Sequence, residues 1–149
     1  MSGNQLWSLL IQGVWDTLYM TIPSTIFAYV LGLPLGVLLV ITKKGGIKES
    51  TTFNAVLGAI INFLRSIPFI ILLVMLFPVT RIVMGTAIGT RSIIFPLVVS
   101  AFPYVARMVE SSLDEVDQGL IEAAQSMGST SMQIICKVLL PEALPSLIN

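Results

Sequence analysis

Sixteen charged side chains, one cysteine (Cys136) and no histidine are what this 149-residue chain can offer to chemistry. That set excludes a Cys/His zinc site, a Ser-His-Asp triad and an internal disulfide. Carboxylates remain, and four of them, Asp114, Glu115, Asp117 and Glu122, fall within nine residues. Acid–base work needs titratable groups held together in environments that push their pKa values apart. These four lie outside every long apolar stretch, and no pair of titratable groups shares a depth within one. We therefore expect no catalytic residue, no metal ligand and no cofactor. No glycine-rich GK[ST] phosphate loop is present, so the chain is not itself an ATPase. The net charge is zero, with 8 basic and 8 acidic residues, and offers no basic surface to nucleic acid.

The elements that carry these residues are apolar. Hydrophobic residues make up 55% of the chain and charged residues 11%, against about 25% charged in ordinary soluble domains. An all-α membrane protein follows. Residues 17–42 are uncharged, and as a helix they would reach roughly 39 Å, more than the ~30 Å hydrocarbon layer. Trp7 and Trp15 precede this stretch, where an interfacial aromatic belt would be. No Lys or Arg comes before the first apolar run, which argues against a cleavable signal peptide. Within the run, Gly32-Leu-Pro-Leu-Gly36 has two readings: close helix packing on small residues, or a proline kink relieved by glycines. A second span is expected over about 62–80, with Arg65 at its entrance and Pro68 in its first turn. Arg65 is either an interface anchor or a polar contact within a larger assembly. A third span, kinked at Pro96 and Pro103, is expected over about 92–113. Lys43, Lys44 and Lys48 in the first loop outnumber Arg81 and Arg91 in the second. This places the first loop and everything after Leu113 in the cytoplasm.

After Leu113 the pattern changes. Asp117 suits a helix N-cap, and Leu120, Ile121, Ala124 and Met127 recur at helical spacing. Gly128 is a stop signal, with a backbone or a packing environment that a Cβ would disturb. Thr130 to Gln133 has the form of a capping box that restarts a helix. Met132, Ile135 and Leu139 then share a face, and Pro141 is expected to end it. Residues 114–142 should form two short helices outside the bilayer, with the Glu122 side chain hydrogen-bonded inside the loop. Helices that rest on lipid favour Lys and Arg. This stretch holds five carboxylates and one lysine, which favours a protein partner over anionic lipid.

Those residues carry a resemblance. Glu122-Ala123-Ala124, Gly128 and, after nine intervening residues, Val138-Leu-Leu140-Pro141 resemble the EAA motif of ABC importer permeases, with Val138 where isoleucine is usual. "FLRSIPFIILLV" from Phe63, "ARMVE" from Ala106 and "KVLLPEALP" from Lys137 resemble the methionine-uptake subfamily, over essentially the whole chain. The resemblance implies a type I ABC importer permease fold with five transmembrane helices, of which three are expected here, so the chain looks C-terminally truncated. It also implies a coupling loop, with Glu122, Ala123, Ala124, Gly128, Val138, Leu140 and Pro141 seated on a cytoplasmic ABC ATP-binding subunit. A second permease copy, an extracytoplasmic substrate-binding protein and a bacterial inner-membrane location are implied likewise. The expected function is ATP-driven import of methionine or a similar small amino acid. The alternative is a membrane scaffold that docks the ATPase without transporting.

Overall fold

The computed structural model describes residues 3–148. Its helices are α1 (Gly3–Thr42), α2 (Thr51–Ser66), α3 (Phe69–Met84), α4 (Thr90–Asp114), α5 (Gln118–Ser126) and α6 (Ser131–Ile134). A π-helical turn, Ile135–Leu139, then leads into α7 (Leu140–Ile148). No strand occurs among the described residues, so the all-α expectation holds.

The frame is the pair α1 and α4. Gly32 lies against Phe102 and Val105, Gly36 against Ala106 and Val109, and Lys43 reaches Asp114. Residue numbers rise together, so the two helices run parallel. A Cβ on Gly36 would sit 2.6 Å from the Ala106 carbonyl oxygen, and one on Gly32 2.6 Å from the Val105 Cβ. Of the two readings of Gly32–Gly36, close packing is the one the geometry uses. α1 stays a single helix through Pro23 and Pro34, and at 40 residues it begins well before the expected Thr17. Trp7 and Trp15 are exposed on its first turns and do not precede it. The next span matches expectation closely: Thr90–Asp114 is one helix with Pro96 and Pro103 inside it.

The element expected over 62–80 is two helices, not one. α2 ends at Ser66, α3 starts at Phe69, and the two are bent by 106°. Pro68 causes the break: its ring drives the preceding Ile67 into extended backbone (φ −82°, ψ 122°). Pro68 thus becomes the N-cap of α3. α2 runs back along α1 and α4. The Asn54 side-chain amide donates to the Leu39 carbonyl (2.6 Å) and to the Thr42 hydroxyl (3.1 Å). Ile61 packs with Leu39 and Ala106, and the Tyr104 hydroxyl donates to the Arg65 carbonyl (3.3 Å).

The second departure is at Pro141, which does not stop its helix. A regular helix would drive the proline ring into the Lys137 carbonyl. The π-helical turn Ile135–Leu139 widens the backbone just before it, and α7 carries on to Ile148. Ser131–Ile148 is therefore a continuous 18-residue helix, long and apolar enough to cross a membrane, as α1 and α4 are.

Candidate functional site: the polar segment after α4

The acidic segment is built by its caps. The Asp117 carboxylate accepts from the Gly119 amide (2.7 Å) and starts α5. At the other end, the Gly128 amide donates to the Gln125 carbonyl (2.9 Å) and the Ser129 amide to Ala124 (3.1 Å). These two bonds form a Schellman closure, and they need the left-handed backbone of Gly128 at φ +78°. Nothing lies within 4 Å of a Cβ placed on Gly128. The glycine is required by conformation, and the crowding alternative is excluded. Thr130 and Gln133 then form the full capping box, with the Thr130 amide donating to Gln133 Oε1 at 2.9 Å.

The faces are rotated from the expected stripe. Ile134, Leu139 and Ala143 are buried in one core with Val37, Val40 and Ile41 of α1 and Val109 and Leu113 of α4. Ile121, Ala124, Ile135, Val138 and Leu140 pack around that core. Met127 (85% exposed), Met132 (69%) and Leu120 (45%) point outward instead. The two methionines flank the Gly128 turn and give it an apolar outer surface. Glu122, Ala123, Gly128 and Pro141 are exposed, whereas Ala124, Val138 and Leu140 sit half-buried beneath them.

The Glu122 side chain does not hold the loop together. Among the described residues its carboxylate has no hydrogen-bond or ion-pair partner, and only its backbone carbonyl is used, accepting from the Ser126 hydroxyl (2.8 Å). The caps at Asp117, Gly128 and Thr130 already close the segment, so the carboxylate is free to face outward. It borders a cavity of about 110 Å3 with Lys43, Ile47, Asp114, Gln118 and Gln125. Lys43 and Asp114 pair across that cavity at 2.7 Å and tie the end of α1 to the end of α4.

Arg65 belongs to another place. It is exposed at the end of α2, 5.0 Å from the Tyr104 ring centroid in a cation–π arrangement. Sequence reasoning passed over Arg107. Its Nη1 pairs with Glu110 at 2.6 Å and its Nη2 donates to the Gly58 carbonyl at 3.1 Å, inside the bundle. The spacing of three residues between opposite charges on one helix was the available signal.

Residues 32–149 match the family described as the binding-protein-dependent transport system inner membrane component. The chain belongs to that family. Its members are components of the inner membrane, and the match takes in Gly32, Gly36 and everything through the acidic segment. Relatives agree over the full length of the chain. The D-methionine transport system permease protein MetI of Salmonella typhimurium is 54% identical over 149 residues, all of this chain and 68% of the relative. The Escherichia coli K12 protein of the same name gives the same figures. Among solved structures, an inward-facing MetNI methionine ABC transporter matches with a TM-score of 0.96 at 54% identity, covering all of this chain and 68% of that one. A more distant amino acid ABC transporter, at 22% identity and a TM-score of 0.62, shares the fold. As a family member the chain is an inner-membrane transport permease with the type I ABC permease fold.

Proposed function

We infer that the chain is the permease subunit of an ATP-driven importer of methionine. The observation that carries this is the 54% identity across all 149 residues with proteins named D-methionine permeases. The relatives reported above are named for transport, which disfavours a scaffold that docks an ATPase without transporting. ATP would be hydrolysed by a cytoplasmic partner subunit. A second permease copy and an extracytoplasmic binding protein would complete the assembly.

Residues 114–142 would be the coupling loop seated on that ATPase. What supports this is a turn fixed by caps, an outer surface of Met127, Met132 and an unpaired Glu122, and an inner surface locked into the α1–α4 core. Ala123, Gly128 and Pro141 lie on the outer side, and Ala124, Val138 and Leu140 anchor the inner side. The 43–49 turn would share the cytoplasm with the loop and residues 81–91 would be external. The parallel run of α1 and α4 supports this, because it brings Lys43 and Asp114 to one end. Arg65 would anchor the α2–α3 break to Tyr104 near the membrane interface.

The test is uptake. The full-length protein, reconstituted with its ATPase and binding protein in liposomes, should import D- or L-methionine in preference to histidine and glutamine. Equal uptake of all of them would remove the substrate assignment and keep the permease. No ATP-dependent uptake of any would remove both.

A further inference from the structure

α2 is held to the bundle by little apolar surface. Gly58 and Ile61 are its buried residues, while Phe53, Val56, Ile60 and Phe63 are exposed. Beyond Ser66 the 106° break separates it from α3. Three polar ties make up the difference, one of them the Tyr104 hydroxyl donating to the Arg65 carbonyl at the far end of α2. Asn54 bonds α1 near the end of α2 that follows the first loop, and Arg107 bonds α2 at its middle. Arg107 lies seven residues before Asp114, about 10 Å along the helix from that charged end. A charged side chain at that depth is costly, and here it has two compensations. Glu110 balances its charge, and Gly58 lets it in: a Cβ there would stand 3.2 Å from Nη2. The compensation is incomplete, because Arg107 Nε is buried with no hydrogen-bond partner among the described residues.

We propose that Arg107, charge-balanced by Glu110, is a positioning residue: it latches α2 to α4 through the Gly58 carbonyl, and this latch sets how efficiently ATP hydrolysis is converted into transport. The transport half rests on the permease reading above. The latch itself rests only on the Arg107–Gly58–Glu110 geometry.

The experiment uses the full-length chain assembled with its ATPase and binding protein in liposomes. The reporter is Leu57→Cys in a Cys136→Ser background, since Leu57 is half-buried against Leu39, Ile61 and Ala106. Arg107→Met should raise the rate of maleimide modification at position 57 about tenfold, the shift expected for losing one charge-assisted hydrogen bond. Methionine moved per ATP hydrolysed should fall by a similar factor, with membrane abundance unchanged. Gly58→Ala keeps the arginine but crowds it, and should shift both readouts the same way by less. Arg107→Lys, which keeps the charge but loses the fork, should recover part of the loss. If Arg107→Met fails to assemble, Gly58→Ala carries the test alone. Modification of position 57 that is unchanged in these variants overturns the latch. So does faster modification with transport per ATP unaltered. A parent transporter that moves no methionine would sink the permease reading instead, and the modification rates would still judge the latch.

Discussion

Gly128 allows a sharp experiment because its two costs separate. Its φ of +78° is left-handed, and nothing stands within 4 Å of an added Cβ. Gly128→Ala therefore introduces backbone strain and no clash. The left-handed region costs an ordinary L-residue about 1–2 kcal/mol, which is about a fivefold to thirtyfold shift toward an opened turn. Asparagine and aspartate tolerate that region better than alanine. Strain alone thus ranks the variants Gly, then Asn, then Asp, with Ala the worst. Hydrogen exchange at the Gly128 and Ser129 amides reads the turn directly, because these donate to Gln125 and Ala124. Exchange there should quicken about fivefold to thirtyfold in Gly128→Ala and less in Gly128→Asn. Co-purification of the ATPase subunit in detergent reads docking without a competing bilayer. If the turn is the docking element, Gly128→Asp should lose more partner than its exchange rate warrants, because its new charge sits between Met127 and Met132. Exchange and co-purification in Gly128→Ala equal to those of the parent would refute the conformational argument. A Gly128→Asp variant that keeps its ATPase and its uptake would refute docking at this turn.

Three further outcomes follow from the packing and the charge pattern. Gly36→Ala places a Cβ 2.6 Å from the Ala106 carbonyl oxygen, so thermal stability in detergent should drop by about 1–3 kcal/mol. Gly13→Ala, with open space at its Cβ in mid-helix, should instead raise stability by about 0.5–1 kcal/mol. Lys43→Ala should cost no more than ~1 kcal/mol, since the ion pair with Asp114 is 37% and 41% exposed; a larger loss in a melt would mean the pair is shielded in the assembly. In a Cys136→Ser background, a cysteine at Thr86 should react with an impermeant thiol reagent from outside, and one at Lys44 should not. The reverse labelling would invert the proposed orientation.

The legible parts of this chain were those governed by local rules. Asp117, Gly128 and the Thr130–Gln133 box acted as their residue types dictate, because capping depends on a few adjacent backbone groups. The long uncharged runs marked α1 and α4 for the same reason. The misjudged parts needed distant partners or a second proline effect. Pro68 was placed in the first turn of a helix, yet its stronger action was on Ile67, which it turned out of the helical region. Pro141 has the residue type that stops a helix, and the π-helical turn Ile135–Leu139 just before it absorbs the ring. Helical spacing groups Met127 with Ala124 and Met132 with Ile135 and Leu139, but spacing gives the angle between residues and not which side faces the core. The Glu122 carboxylate was expected to brace a loop that its backbone already closes.

The departure at Pro141 also explains how an acidic surface turn is joined to the apolar bundle. Had the helix ended there, Ala143 would lie outside it, and of the segment's fully buried residues only Ile134 and Leu139 would remain in the core. Because the π-helical turn lets the backbone continue, Ile134, Leu139 and Ala143 enter one core with Val37, Val40, Ile41, Val109 and Leu113. Closely packed interiors transmit displacement and do not absorb it. The helix that follows the Gly128 turn touches α1 and α4 directly, through Ile134, Leu139 and Ala143. The tight approach at Gly36 leaves no room for a Cβ between those two helices. α2 is joined to that pair through Ile61, Asn54, Arg107 and the Tyr104–Arg65 contact, so it shifts only by exchanging those contacts.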